Sequence, residues 1–312
     1  MTTELLRELA ADGYPTDYLL ARVRGRRSAM MAQWRSDRTH GLPTGLTDEA
    51  IWEELLHEHA WLRAQMNRSL RKCLDPVFAL FELKTIVLCL RCKSVRNDAE
   101  VARLLADSQL PGSLRLALLG AADGPTMVAD IARRLELATP EQTSLQRAYA
   151  NDGLKGFETR LTRLYLEYVD GVKLHPCVRS FFASFVDLRN VMTLYKHLRW
   201  GVGDAAAFMA GGKTDVSRLQ QASASKDSTQ LDLLVREIAG RTAPPLATAE
   251  SSLETILLGS LTSRLQSDVR NGDDVGSVLE YAWRVYVHAR NRAILLHASG
   301  VDAATIEKEL IA

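Results

Sequence analysis

The stretch Asp187-Leu-Arg-Asn-Val191 (DLRNV) is the best guide to the architecture, because two related five-residue stretches occur elsewhere in the chain. They are Glu82-Leu-Lys-Thr-Ile86 and His288-Ala-Arg-Asn-Arg292. Each lies in a run with apolar residues three and four apart, the spacing of a helix that buries one face. Their central polar residues are 105 and 101 positions apart, which indicates an architecture built from similar units. These central residues are Thr85, Asn190 and Asn291.

An Asp-Ala pair follows each stretch after a connection of about ten residues and is predicted to begin another helix. The three pairs begin at Asp98, Asp204 and Asp302. Each aspartate can accept hydrogen bonds from first-turn N–H groups and places a negative charge at the positive end of the helix. A leading amphipathic segment also precedes each stretch. These segments lie near residues 51–70, 156–168 and 252–265.

The repeat predicts an all-α fold with three similar helical domains of about 100 residues each. Their predicted boundaries are residues 1–112, 113–217 and 218–312. Strand patterns with period-two alternation are almost absent, whereas Ala, Leu, Arg and Glu are abundant. Gly- and Pro-containing breaks, such as those at residues 40–44 and 151–153, divide the chain into a dozen or more helices.

The composition limits the classes of function. Of the 312 residues 46% are hydrophobic, and the formal net charge of +1 gives no global electrostatic field that would favour a nucleic-acid partner or an anionic membrane surface, although local basic clusters remain possible. The chain opens without a basic-then-apolar signal pattern, and its most apolar run, residues 77–90, contains Glu82 and Lys84. We therefore expect no export signal and no direct membrane span. The four cysteines are expected to be free thiols in a reducing compartment.

The segment from Gly203 to Thr214 (GDAAAFMAGGKT) ends like a phosphate-binding loop. Such a loop needs a further glycine at position 207, where this chain has Ala207, and a preceding strand. The segment is better explained as a short helix with Asp204 as its N-cap, running to Met209 and stopped by Gly211 or Gly212. We predict no nucleotide site and no cofactor.

Three further patterns have a chemical and a structural interpretation, and the structural one is favoured for each. Cys89-x-x-Cys92 has no second pair for zinc and lies in an apolar helix, so core packing is predicted. Glu54-x-x-His57 has no second copy for a di-metal site. Asp273-Asp274 has no third carboxylate nearby in sequence and is interpreted as a turn and helix start. No catalytic or metal-binding residue is predicted.

A basic cluster near the N-terminus is the candidate contact with a partner. It consists of Arg22, Arg24, Arg26 and Arg27. The cluster can meet an acidic partner or anionic phosphates, or it can be solvated or paired internally. No aromatic residues are interleaved with it, as binding of single-stranded nucleic acid would require.

The sequence as a whole resembles the AC39-like family, the central rotor connectors of V-type and A-type rotary ATPases. The resemblance rests on the repeated stretches and on segments that match the family's pattern. These segments are Tyr18-Leu-Leu-Ala-Arg-Val-Arg24, Ser28-Ala-Met30, Gly211-Gly212 and His288-Ala-Arg-Asn-Arg-Ala-Ile294 followed by Gly300. The chain departs from the pattern at Leu20, at the inserted Gly25-Arg26-Arg27, and at His288, where the other two copies have an acidic residue.

The resemblance implies a funnel of three domains around a pseudo-three-fold axis and no catalysis. It implies a socket in the central stalk that joins the central-shaft subunits of the ATPase head to the proteolipid ring in the membrane. The complex would couple ATP hydrolysis or synthesis to proton or ion transport, and the chain would be cytoplasmic and peripheral to the membrane. The alternatives are a cytosolic all-α scaffold unrelated to ATPases and an all-α metal-dependent enzyme.

Overall fold

The computed structural model describes residues 13–135, 142–201, 208–226, 228–240, 249, 251–270, 273–298 and 300–311. These residues form thirteen α-helices and no β-strand, which confirms the all-α prediction. The helices are α1 Thr16–His40, α2 Asp48–Gln65, α3 Arg68–Ser94, α4 Asp98–Ala106, α5 Gly112–Gly120, α6 Gly124–Leu135, α7 Gln142–Asp170, α8 Pro176–Trp200, α9 Val216–Ser225, α10 Ser228–Ala239, α11 Leu253–Arg270, α12 Asp274–His297 and α13 Ala303–Glu309.

Local sequence explains where many of these helices begin and bend. Side-chain oxygens of the N-cap residues accept hydrogen bonds from first-turn N–H groups, which otherwise have no partner in a helix. Such caps are Thr47, Asn67, Asn97, Asp215, Asp273 and Asp302. The predicted break at residues 151–153 is a kink inside α7, where Gly153 has φ 60° and interrupts the helix.

The chain divides into two compact units. Unit 1 consists of Met1–Tyr14 and Thr47–Val169, and unit 2 consists of Pro15–Leu46 and Asp170–Ala312. The prediction of three repeated domains of about 100 residues stays a prediction.

Helix α3 is the centre of unit 1 and packs against α2, α4, α5 and α6. Its buried side chains include Phe78, Phe81 and Ile86. Cys89 and Cys92 are free and buried on the same helix, so the predicted core role of this pair is confirmed. Burial raises the pKa of the Cys89 thiol to about 12, as expected for a thiol in an apolar interior.

In unit 2, helices α8, α11 and α12 pack against one another. Trp283 of α12 is fully buried, with its ring 5.7 Å from that of Phe181 in an edge-to-face contact. The indole N–H of Trp283 donates to the Thr262 hydroxyl at 2.9 Å, so burial of this large side chain leaves its polar group satisfied.

Helix α1 packs against α12, although the two lie at opposite ends of the sequence. Asp37 Oδ2 lies 3.0 Å from Nε of the buried Arg292. Arg27 and Arg284 both contact Glu280, at 3.2 and 2.6 Å. A buried charge is costly unless it is paired, so the Asp37–Arg292 and Arg27–Glu280 pairs, which join the two helices, favour this position of α1 on α12.

Among the described residues, no helix is both long enough and apolar enough to cross a bilayer.

Candidate functional site

Asn190, in the second half of α8, binds the backbone of a chain segment 19 residues later. Its side-chain amide donates to the Met209 carbonyl at 2.8 Å, and its side-chain carbonyl accepts from the Met209 N–H at 2.8 Å. Both residues are buried. One asparagine therefore satisfies both backbone polar groups of Met209 where water has little access.

Asn291 of α12 makes the same arrangement with another segment of unit 2. Its amide donates to the Ile311 carbonyl at 2.7 Å, and its carbonyl accepts from the Ile311 N–H at 3.2 Å. Ile311 is buried and follows α13. The two central asparagines of the repeated stretches thus have the same structural role, here called the asparagine clamp.

Thr85, the corresponding residue of unit 1, is fully buried on α3 but contacts a side chain instead. Its hydroxyl accepts from the Trp52 indole N–H at 3.1 Å. The carboxylate three residues earlier holds the returning chain. Glu82 accepts from the Ser108 hydroxyl at 2.9 Å and from the Gln109 N–H, 26 and 27 residues later.

Asp187 holds the returning chain of unit 2 at the same two offsets. Its carboxylate accepts from the N–H groups of Lys213 and Thr214, at 3.1 and 2.9 Å. These are the last two residues of the segment that resembles a phosphate loop. A Cβ atom at position 212 would meet Asp187 Oδ1, so a residue larger than Gly212 would displace the carboxylate around which the turn closes. The Gly-Gly-Lys-Thr turn thus directs backbone N–H groups at the Asp187 carboxylate, in the way that a phosphate-binding loop directs them at a phosphate.

His288 occupies the place of these carboxylates in the third stretch. Its ring lies edge-on to Trp34 of α1, with 6.0 Å between centroids. Burial, with the nearby Arg292 charge as the smaller cause, lowers the pKa of His288 to about 4. Burial also raises the pKa of Glu82, and its hydrogen bonds from Gln109 and Ser108 oppose that shift. The first and third stretches therefore respond to pH in opposite directions.

Two of the predicted aspartate caps lie among the described residues, and their outcomes differ. Asp302 is the N-cap of α13, and its side chain accepts from the Thr305 N–H at 3.0 Å, as predicted. The prediction is wrong at Asp98, because Asn97 caps α4 by accepting from the Glu100 N–H at 3.2 Å. Asp98 is instead the first helical residue, and its carboxylate lies 2.6 Å from Nζ of Lys93.

The third predicted cap, Asp204, and most of the helix predicted to follow it lie outside the described residues. At the other end of that segment, Met209 is described and is not helical. The predicted extension of the helix to Met209 is therefore wrong. The reason is the Asn190 clamp, because it takes both backbone groups of Met209 that a helix would use.

The basic cluster lies on α1, where its members have different surroundings. Arg27 pairs with Glu280, whose side chain is only 3% exposed, so Arg27 belongs to the internal charge group. The guanidinium of Arg22 lies over the ring of Tyr18, 5.9 Å from its centroid. Arg24 is exposed and Arg26 is half-buried. The cluster thus combines one structural arginine with a more accessible basic surface.

The other predicted chemical patterns are explained by structural contacts. His57 lies on the surface, with Nδ1 2.9 Å from Asp107 Oδ2. Asp273 caps α12 and Asp274 is its first residue, as predicted. One set of residues that the sequence did not suggest, His175, Cys177 and Asp273, brings three possible metal-ligand atoms within 4.8 Å of one another.

Sequence reasoning found the clamp asparagines but not their partners. Met209 and Ile311 contribute backbone groups, which carry no side-chain signal. Glu82 and Asp187 both bind groups 26 and 27 residues later in the chain. This regular spacing could be recognised only after the contacts were known.

A sequence model of the family described as ATP synthase (C/AC39) subunit matches residues 21–298, nearly the whole chain. The match includes all three repeated stretches. A search of curated proteins gives no significant match.

Proposed function

The chain belongs to the ATP synthase C/AC39 family, and on this basis we propose that it is a non-catalytic central-stalk component of a V/A-type rotary ATPase. It acts as a socket that couples the shaft of the ATPase head to the rotor ring in the membrane. The observation that carries the proposal is the family match over residues 21–298. The proposal places the protein in the cytoplasm, peripheral to the membrane through the complex.

Transmission of torque requires a stiff body, and features of both units support this role. In unit 2 the clamps of Asn190 and Asn291 fix returning segments to long helices through paired backbone hydrogen bonds. In unit 1 Glu82 fixes the segment after α4. Close-packed interiors resist compression and transmit strain, and satisfied buried polar groups favour a single arrangement.

The proposed socket has three domains, residues 1–112, 113–217 and 218–312, closing around a hollow that receives the shaft. The hollow is what the family resemblance implies, whereas the division into three domains rests on the spacing of Thr85, Asn190 and Asn291. It predicts that a structure of the assembled complex superposes the three residues on equivalent helices.

The accessible part of the basic cluster is the proposed contact with an acidic partner surface, such as the shaft. Its members are the exposed Arg24 and the half-buried Arg22 and Arg26, whereas Arg27 is engaged with Glu280. Charge complementarity at the rim of an interface mainly increases the association rate. This effect decreases as salt is added, because salt screens exposed charges.

Purification of the native complex tests the function. The affinity tag belongs before Met1, because Ile311 at the other end is buried in the Asn291 clamp. We expect the tagged chain to recover ATPase head subunits and the proteolipid ring from detergent-solubilised membranes. Recovery of the folded chain alone, from membranes whose ATPase is intact, would reject the proposal.

Charge reversal tests the contact. Arg24→Glu is expected to slow association with isolated shaft subunits at low salt, with the difference shrinking as salt is added. Arg35→Glu is the matched control, because Arg35 is exposed on the same helix about three turns away. Equal effects of the two variants would show that the contact is not specific to the cluster.

A further inference from the structure

Three side chains of different chemistry converge where two long helices of unit 2 begin. His175 directly precedes α8, Cys177 is in its first turn, and Asp273 is the N-cap of α12. All three are half-buried, with 32% of the His175 side chain and 33% of the Asp273 side chain exposed. A small solute can therefore reach them.

The separations between their atoms suit coordination of one metal ion. His175 Nδ1 lies 3.1 Å from Cys177 Sγ and 4.0 Å from Asp273 Oδ2. Zinc binds nitrogen and oxygen at about 2.0–2.2 Å and thiolate sulfur at about 2.3 Å, so tetrahedral ligand atoms lie roughly 3.3–3.6 Å apart. The two distances lie on either side of that range, and all three possible ligand atoms lie within 4.8 Å of one another.

The arrangement does not suit a cysteine nucleophile activated by histidine. In a catalytic triad the nucleophile and the carboxylate face different nitrogens of the imidazole ring. Here Cys177 and Asp273 both face Nδ1 of His175.

Asp273 can bind an ion without giving up its role as a helix cap. Its Oδ1 accepts from the Val275 N–H at 3.0 Å, while Oδ2 is the atom that faces His175. A thiolate and a carboxylate would together balance the charge of a divalent cation. Both lie at helix N-termini, which favour anionic groups.

We propose that His175, Cys177 and Asp273 bind one Zn²⁺ ion, with the fourth position open to water or to a further ligand. Sulfur, imidazole and carboxylate ligands together favour zinc over magnesium or calcium, which prefer oxygen alone. The ion would tie the start of α8 to the start of α12, the helices that carry Asn190 and Asn291. The proposal is independent of the role in an ATPase.

Cobalt substitution tests the site on the full chain, without a polyhistidine tag and after removal of metal by a chelator. Titration with Co²⁺ is expected to give one bound ion per chain and an absorption band from thiolate-to-cobalt charge transfer. Zn²⁺ should displace the cobalt and raise the melting temperature, because an ion that binds only the folded state stabilises it.

Variants locate the ion. Cys177→Ser is expected to abolish the charge-transfer band and weaken Zn²⁺ binding at least about 100-fold, since loss even of outer-shell partners costs about 10–100-fold. Cys73→Ser is the matched control, because Cys73 is another half-buried free cysteine, on α3 in unit 1. Asp273→Asn keeps an acceptor for the helix cap while removing the anionic ligand, and it should weaken binding without loss of helicity.

Three results would overturn the proposal. They are no stoichiometric binding of Co²⁺ or Zn²⁺ by the folded wild-type chain, a charge-transfer band that persists in Cys177→Ser, and a band that is lost in Cys73→Ser. If Cys177→Ser does not fold, Asp273→Asn decides, and unchanged zinc affinity in that folded variant rejects the site.

Discussion

The Asn190 region of unit 2 and the Thr85 region of unit 1 use the same position of a repeated stretch in different ways. Asn190 holds both backbone groups of Met209, whereas Thr85 accepts a single hydrogen bond from Trp52. Three residues earlier the two regions agree again, because Asp187 and Glu82 both bind groups 26 and 27 residues later.

The difference shows that the polar side chain is matched to the group it must satisfy. A backbone amide unit needs a donor and an acceptor, and asparagine offers both on one short side chain. An indole N–H needs only an acceptor, which threonine supplies. What the two regions share is a buried polar anchor on a long helix, and the chemistry of that anchor follows from its partner.

The largest expected effect is the loss of an asparagine clamp. Asn190→Ala leaves the buried N–H and C=O of Met209 without their partner, and each orphaned group costs about 1–3 kcal/mol, so we expect a loss of about 4 kcal/mol in unfolding free energy. Thr85→Val keeps the shape of the side chain but leaves one buried group, the Trp52 indole N–H, without its acceptor, so we expect a smaller loss of about 2 kcal/mol. Denaturant melts of both variants measure the difference.

Hydrogen exchange locates that effect. The Met209 amide should exchange faster in Asn190→Ala, while the amides of α3 should be unchanged. Equal destabilisation by Asn190→Ala and Thr85→Val would show that the clamp has no special importance.

A second comparison concerns how the stability of the fold depends on pH, through Glu82 in the first stretch and His288 in the third. The pKa of His288 falls from 6.5 to about 4 on folding, so its neutral form stabilises the fold above pH about 6.5, and this stability is lost as the pH falls toward 4. The full effect is about 3 kcal/mol. His288→Gln should flatten this part of the stability curve, as measured by denaturant melts from pH 7 to 4.

Glu82 has the opposite sign. Its pKa is raised from 4.5, so its contribution is greatest below pH about 4.5 and decreases as the pH rises through the raised value. Glu82→Gln has no group that titrates here, so its unfolding free energy should decrease less than that of the wild type as the pH rises above about 4.5. Curves that change in the same direction in His288→Gln and Glu82→Gln would contradict the assignment.

A third, smaller effect distinguishes the two carboxylates at neutral pH. Asp187→Asn should cost about 2 kcal/mol, because it turns an NH₂ group toward one of two backbone N–H donors. A backbone N–H group cannot accept a hydrogen bond from the new amide. Glu82→Gln should cost less than about 1 kcal/mol, because the Ser108 hydroxyl can rotate and accept from the new amide. Urea melts at pH 7 compare the two, and the reverse order would refute this account.

The smallest effects are expected at the helix caps. Asn97→Ala should cost about 1 kcal/mol, independently of pH. Asp302→Ala should lose a contribution that depends on pH, because hydrogen bonds from Thr305 lower the pKa of Asp302. That contribution is present above pH about 3.8 and lost as the pH falls through the lowered value. Asp302→Asn, which keeps the acceptor, should restore the wild-type stability in melts at pH 7, and failure to do so would argue against a cap.

Much of the fold could be predicted from the sequence because it depends on local rules. The apolar spacing around Asn190 predicted a long helix, the Gly153 break predicted the kink in α7, and Asp302 was identified as a cap. Each of these depends on residues within one or two helical turns. The error at Asp98 is also local, since the cap lies one residue earlier at Asn97.

The helical character of the chain and the positions of its polar anchors could be read from the residues alone, since helix periodicity and capping act between residues three or four apart. What those anchors meet depends on the packing of whole helices. Met209 returns to Asn190 after 19 residues, α1 packs on α12 across the length of the sequence, and Asp273 comes to lie beside His175 and Cys177. No sequence pattern predicts these long-range contacts. Backbone N–H and C=O groups are the same at nearly every residue, so the sequence does not indicate which of them a side chain will bind.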